Sequence, residues 1–334
     1  MHGSNEISPV LCQAPMKIEK KADIIAEEIA LFEQKFKSAV KSRVPLLDRI
    51  MQYIIHRKGK QLRPRFVLLS AKLFGAVSDT TYRAASLVEL LHTATLVHDD
   101  VVDESLVRRN FFSINALWKN KIAVLVGDYL LSKGLLLSLE NEDYKILQIL
   151  SNAVKKMSEG ELLQIEKARK LNLNEDIYFE IIRNKTASLL ASACAAGAWS
   201  TTFDPVITEQ TRLFGEKIGI AFQIKDDLFD YGTDDVGKPT GNDIKEKKLT
   251  LPLIYTLNNV SASERRSMIY VIKNENRNKA KVAELIKNVT AAGGIKYAVD
   301  KMNQYRDEAL DILFQFPDNE VRQALEHLVR YTTD

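Results

Sequence analysis

Apolar residues along this chain recur every three or four positions far more often than every second one, the spacing of helices with one buried face. In ADIIAEEIALFEQKFKSAV, residues 22–40, the positions Ile25, Ile29, Phe32, Phe36 and Val40 form such a face. The same period returns over 65–74, 82–98, 122–139, 146–167, 177–199, 208–230 and 251–257. Breaks fall at HRKGKQLRP, RRNFFS, LENED, KLNLNED, TTFDP, YGTDDVGKPTGND and AAGG, each carrying turn formers or capping acids. None resembles an interdomain linker, and no fixed-period repeat is present. The pattern predicts an all-α fold of long helices. Residues 1–16 form a tail expected to be mobile, and 17–334 a single helical domain with a less distinctive C-terminal third.

Composition narrows the function classes. With 46% hydrophobic and 27% charged residues, the chain has the balance of a globular protein. A formal net charge of +3, with basic and acidic residues interspersed, argues against a nucleic-acid partner. The two cysteines, Cys12 and Cys194, indicate no disulfide framework and fit a cytoplasmic protein. The most apolar segment, IAVLVGDYLLSKGLLLSL, is interrupted by Asp128 and Lys133, which predicts a core helix and no transmembrane segment.

The chemistry concentrates in LVHDDVVDESLVRRN, residues 96–110. On a helix Asp99 and Asp103 project side by side, with Asp100 turned away by about 100°. One DDxxD alone is more often a solvated acidic face. Here the spacing repeats as Asp226, Asp227 and Asp230 in FQIKDDLFDYGTDD, residues 222–235. If the two clusters face one another, their carboxylates repel unless hard cations lie between them, and oxygen-only ligands favour Mg²⁺. Cations suited to phosphate accompany the breaks: Lys60 and Arg63 in GKQLRP, Arg108 and Arg109, then Lys238, Lys247 and Lys248 in GKPTGNDIKEKK. Each alone is more often a surface residue; two acidic clusters reverse that balance.

The ordered set GKxLRP, DDxxD followed by RR, KTASLL, and FQIKDDLFD followed by GKPTGNDI resembles the trans-type polyprenyl diphosphate synthases, with motifs running from residue 59 to 248. The resemblance implies long helices around a deep apolar cavity, and condensation of isopentenyl diphosphate with an allylic diphosphate (farnesyl, geranyl or dimethylallyl). It implies that Asp99, Asp103 and Asp226 hold metal, with Asp100, Asp227 and Asp230 as ligands or as supports of ligands. About three Mg²⁺ are expected per site once diphosphate is bound, each bridging carboxylate to phosphate. By the same resemblance Arg108, Lys185, Lys238 and Lys248 grip the allylic diphosphate, and Lys60, Arg63, His92 and Arg109 the isopentenyl diphosphate. Thr186 and Gln223 face the developing cation. His92 lies two turns before Asp99 on nearly the same face, whereas His98 takes a structural or supporting role and Lys247 remains an ordinary surface lysine. Asn110 departs from the family, which commonly has Gly there.

Chain length is a question of depth. The resemblance sends the growing tail along the helix of the first motif, past Ala94 and Thr95 about one turn below Asp99 and then Leu91. No bulky aromatic forms a floor there. One turn of about 5.4 Å admits roughly one isoprene unit, so a product of roughly six to ten units, of the kind attached to quinones, is expected, and the resemblance implies that it is all-trans. A homodimer with helix 122–139 as candidate interface, and peripheral membrane contact during product release, are also implied. The alternatives are a geranylgeranyl or farnesyl diphosphate synthase, a terpene cyclase, and a non-catalytic subunit of a two-component synthase. A cyclase would lack GKxLRP, and a non-catalytic subunit would have lost aspartates.

Overall fold

The computed structural model describes residues 24–56, 61–108, 111–170, 174–232 and 241–333. Its first helices are α1 (Ala26–Ala39), α2 (Pro45–His56), α3 (Leu62–Phe74) and α4 (Asp79–Val102). A two-residue hairpin, β1 (Val107–Arg108) and β2 (Phe111–Phe112), leads into α5 (Ile114–Leu139) and α6 (Tyr144–Lys170). Then come α7 (Glu175–Ile182), a π-helical turn (Arg183–Ala187), α8 (Ser188–Thr202) and α9 (Pro205–Phe229). The chain closes with α10 (Asn242–Lys245), α11 (Leu251–Asn259), α12 (Ala262–Asn274), α13 (Lys279–Ala291), α14 (Gly294–Leu313) and α15 (Glu320–Thr333).

Local chemistry sets these boundaries. Asp204 caps α9 by accepting from the amides of Val206 and Ile207 at 2.7 and 3.2 Å, with Pro205 in the first turn where its missing N–H costs nothing. Ser261 and Glu264 form a reciprocal capping box on α12. The less distinctive C-terminal third is thus helical too, burying Met268, Ile272, Leu285 and Val289.

At the centre lies α8, whose SLLASACAAGAW sequence is buried almost throughout and packs against α3, α4, α6 and α9. Small side chains permit this: a Cβ on Gly197 would lie 2.3 Å from the Val67 carbonyl oxygen. Helices α4 and α9, which carry the two aspartate clusters, each pack on α8.

Two expectations need adjustment. The period over 177–199 predicts one helix, but the π-helical turn divides it into α7 and α8. Helix α5 buries Ala123, Val126 and Leu130 against α2 and α4, yet leaves Leu117, Val124, Leu125, Leu135, Leu136 and Leu139 exposed. It is therefore a core helix on one side only. Among the described residues it alone is long and apolar enough to cross a membrane, and non-helical backbone at Lys119 kinks it.

Candidate active site

Both aspartate clusters sit at helix C-termini. Asp99 and Asp100 occupy the last turn of α4 and Asp103 its C-cap; Asp226 and Asp227 occupy the last turn of α9 and Asp230 its C-cap. The helix dipole is negative at that end and disfavours carboxylates by ~0.3–1 kcal/mol each, and neither final turn carries a basic residue.

Helical rotation then separates the acids. In α4, Asp99 is half-buried and Asp103 exposed, while Asp100 is buried. The Asp100 main-chain carbonyl accepts from Asn115 Nδ2 and from the Ser105 amide, both at 3.0 Å. In α9, Asp226 is exposed and Asp227 buried. Asp230 has both carboxylate oxygens engaged, accepting from the amides of Asn242 at 2.7 Å and Asp243 at 3.1 Å. It holds the start of α10 against the end of α9.

Beside Asp226 lies a cavity of about 120 Å³, with Lys185, Thr186, Gln223, Asp227, Asp243 and Lys248 in its wall. One hydrogen-bonded chain runs along that wall. Thr186 Oγ1 donates to Gln223 Oε1 at 2.7 Å, Gln223 Nε2 donates to Asp227 Oδ1 at 3.0 Å, and the Tyr178 hydroxyl donates to Asp227 Oδ2 at 2.7 Å. Lys185 and Thr186 belong to the π-helical turn, an irregularity that redirects side chains and recurs at functional sites. The turn fits because Gly160 of α6 has no side chain: a Cβ there would meet Lys185 N at 2.8 Å.

Burial sets the electrostatics. It pushes the Asp227 carboxyl up to about 7, against the opposing hydrogen bonds from Gln223 and Tyr178, and pushes Asp243 up to about 6, against the Lys248 charge. It raises Tyr178 well above the ordinary phenol range, with Asp227 adding to the effect. Burial pulls Lys248 down, but Glu246, Asp243 and Asp103 together hold it above its ordinary value. The lysines rest on carboxylates: Lys185 Nζ lies 2.5 Å from Glu161 and 3.3 Å from Gln164 Oε1, and Lys248 Nζ 2.5 Å from Glu246 and 3.7 Å from Asp243.

Other expected residues fall elsewhere. Lys60, Arg109 and Lys238 lie outside the described residues, as does the side chain of Arg108 in β1. Arg63 is half-buried in the first turn of α3, and His92 is buried in α4. Ala94 is fully buried in the core shared by α2, α4 and α5. Leu91 is buried in the larger core, and Thr95, half-buried, donates to the His92 carbonyl at 2.9 Å. The His98 ring sits over Gly127 of α5, where a Cβ would lie 2.1 Å from Nε2. Tyr178, Gly160, Asp243 and the π-helical turn are additions that sequence reading missed. Asp243 stood in the GNDI motif and was readable there; Tyr178 and Gly160 carry no local signal.

Comparison with known proteins gives the family. The profile of the polyprenyl synthetase family matches residues 44–289. The chain is 34% identical to the all-trans-nonaprenyl-diphosphate synthase (geranyl-diphosphate specific) of Rhodobacter capsulatus, over 96% of this chain and 99% of that protein. It superimposes on polyprenyl synthase from Caulobacter crescentus, crystallised with calcium and isoprenyl diphosphate, with a TM-score of 0.85 and 34% identity, covering 92% of this chain and 95% of that one. Geranylgeranyl pyrophosphate synthase from Bacteroides thetaiotaomicron gives a TM-score of 0.79 and 39% identity, covering 93% and 96%. A family profile that matches residues 44–289, and a relative 34% identical over nearly the whole length of both chains, show that the protein belongs to the polyprenyl synthetase family.

Proposed function

We propose that this chain condenses isopentenyl diphosphate head-to-tail with an allylic diphosphate, giving an all-trans polyprenyl diphosphate of roughly six to ten isoprene units, at about one unit per helical turn. The observation that carries this reading is the joining of Thr186, Gln223, Asp227 and Tyr178 into one polar chain beside the outward-facing Asp226.

The donor set suits Mg²⁺. Among the described residues no three His, Cys, Asp or Glu side chains converge as a ready-made metal cage. Mg²⁺ is usually held by one or two carboxylates with water and substrate phosphate completing its shell, and the accessible Asp99, Asp103 and Asp226 match that need. When bound, Mg²⁺ supplies Lewis-acid stabilisation of the departing diphosphate. Lys185 and Lys248, now balanced by Glu161 and Glu246, are available to exchange those partners for diphosphate oxygens. Arg108 and Lys238 complete that grip, while Lys60, Arg63, His92 and Arg109 receive isopentenyl diphosphate. The oxygens of Thr186 and Gln223 face the allylic cation, and the buried Asp227 and Tyr178 keep Gln223 oriented toward it. Asp100 and Asp230 brace the helix ends. Residues 17–334 act as one cytoplasmic domain, paired as a homodimer through the exposed apolar stripe of α5, with peripheral membrane contact during product release.

The test is incubation with Mg²⁺, labelled isopentenyl diphosphate and farnesyl diphosphate, resolving dephosphorylated products by length. A ladder ending at one product of roughly six to ten units is expected. No incorporation with farnesyl, geranyl or geranylgeranyl primers would overturn the reading. Likeness to the Bacteroides enzyme favours a second reading, geranylgeranyl diphosphate synthesis, for which the ladder stops at four units.

A further inference from the structure

Helix α6 presents three residues to the π-helical turn. Gly160 lets the two backbones meet, a Cβ there lying 2.8 Å from Lys185 N. Glu161 holds the Lys185 ammonium at 2.5 Å, and Gln164 Oε1 accepts from it at 3.3 Å. Gln164 and Lys185 line the cavity beside Asp226, whereas Glu161 lies outside that lining. Glu161 therefore stands behind the lysine and reaches the cavity only through it. Its side chain is 24% exposed, against 59% for Glu246, the partner of Lys248. An ion pair sheltered from water keeps more of its attraction than an exposed one, so Glu161 restrains Lys185 more than Glu246 restrains Lys248. Among the described residues Glu161 is the only carboxylate partner of Lys185.

We infer that Glu161 is a positioning residue that competes with diphosphate for the Lys185 charge, and so sets how readily the allylic diphosphate position empties between condensations; the inference rests on the proposed function. An ammonium group has three N–H donors and no acceptor, and here two already have partners. A diphosphate oxygen entering the cavity thus meets a cation already balanced by Glu161, and binds it less tightly than it would bind an uncompensated lysine. Gln164 is neutral and only orients the ammonium, which leaves Glu161 as the countercharge. Repeated condensation makes that competition useful. Each cycle leaves a free diphosphate where the next allylic diphosphate must sit, and a lysine that gripped it unopposed would slow every later cycle.

The experiment compares the full unaltered chain with Glu161→Gln, Glu161→Asp and Gln164→Glu, using inorganic diphosphate with Mg²⁺ as the probe. Calorimetric titration is expected to show diphosphate bound about tenfold more tightly by Glu161→Gln. Gln164→Glu places a second carboxylate on Lys185 without removing Glu161, and is expected to bind diphosphate about tenfold more weakly. Glu161→Asp keeps the charge and is expected to lie near the unaltered protein. In steady-state condensation of isopentenyl with farnesyl diphosphate, kcat and the KM for farnesyl diphosphate are expected to fall together in Glu161→Gln, the pattern of a product held too long. A merely structural glutamate would instead lower kcat and the melting temperature with no gain in diphosphate affinity. That result, or equal diphosphate affinity in Glu161→Gln and the unaltered protein, overturns the inference. Absence of condensation by the unaltered protein would refute the proposed activity, a separate reading, and the titrations would still decide the role of Glu161.

Discussion

Tyr178 and Asp227, 49 residues apart in the chain, meet in the interior of the bundle, the phenol donating to Oδ2 at 2.7 Å. The opposite oxygen of Asp227 accepts from Gln223, so two donors hold one buried acid. Tyr178→Phe leaves Oδ2 without that donor in an apolar setting, at a cost of about 1–3 kcal/mol. Urea denaturation is expected to show this loss with an unchanged m-value. In the same variant kcat falls more than KM rises, because Gln223 is less firmly oriented. Equal stability and activity in the variant would show that the pair positions nothing.

Gly160 governs how closely α6 approaches the π-helical turn. A Cβ would sit 2.8 Å from Lys185 N and 3.0 Å from Asn184 Cβ, inside normal contact. Gly160→Ala gains about 1 kcal/mol of helix propensity, but its Cβ meets backbone that does not yield cheaply, so a net loss of stability is expected. The turn must shift, and a misplacement of this kind is expected to lower kcat/KM by about 10²-fold. Thermal melts and initial rates measured together separate the two effects.

Product length distinguishes two adjacent residues on α4. Thr95 is half-buried and the helical turn below Asp99 passes through it, so Thr95→Phe is expected to shorten the product by one or more isoprene units. Ala94 is wholly enclosed by α2, α4 and α5. Ala94→Phe overpacks that core, costing about 1–3 kcal/mol and lowering the melting temperature before it alters length. Chromatography of dephosphorylated products beside melting curves provides the check.

The raised acids predict a pH dependence of the metal-free protein. Asp227 near 7 and Asp243 near 6 both lie above their ordinary value of 3.8. Between about pH 4 and 7 the folded protein therefore holds protons that the unfolded chain has released, and stability falls as pH rises through that window. The slope is at most about 1.4 kcal/mol per pH unit for each proton. Chemical denaturation in the presence of a chelator at several pH values measures it. Asp227→Asn flattens the upper part of the profile, and a flat profile for the unaltered protein would contradict the assignment.

Periodicity alone was sufficient for the all-helical fold, because an apolar residue every third or fourth position has no other way to reach a common core. A rotation of about 100° per residue was enough also to turn Asp100 away from Asp99, but which of the two faces the interior was decided by packing. Order and spacing of the motifs sufficed for the family. Side-chain partnerships across the bundle were beyond reach, since they depend on which helices become neighbours. Tyr178 on Asp227, Gly160 beneath Lys185 and His98 over Gly127 each join residues many positions apart, and nothing local distinguishes them from ordinary core residues. The π-helical turn is of the same kind, an added residue per turn that the apolar period absorbs without trace. Only packing α6, α8 and α9 together decides it, because there the close approach at Gly160 and the hydrogen bond from Thr186 to Gln223 are made.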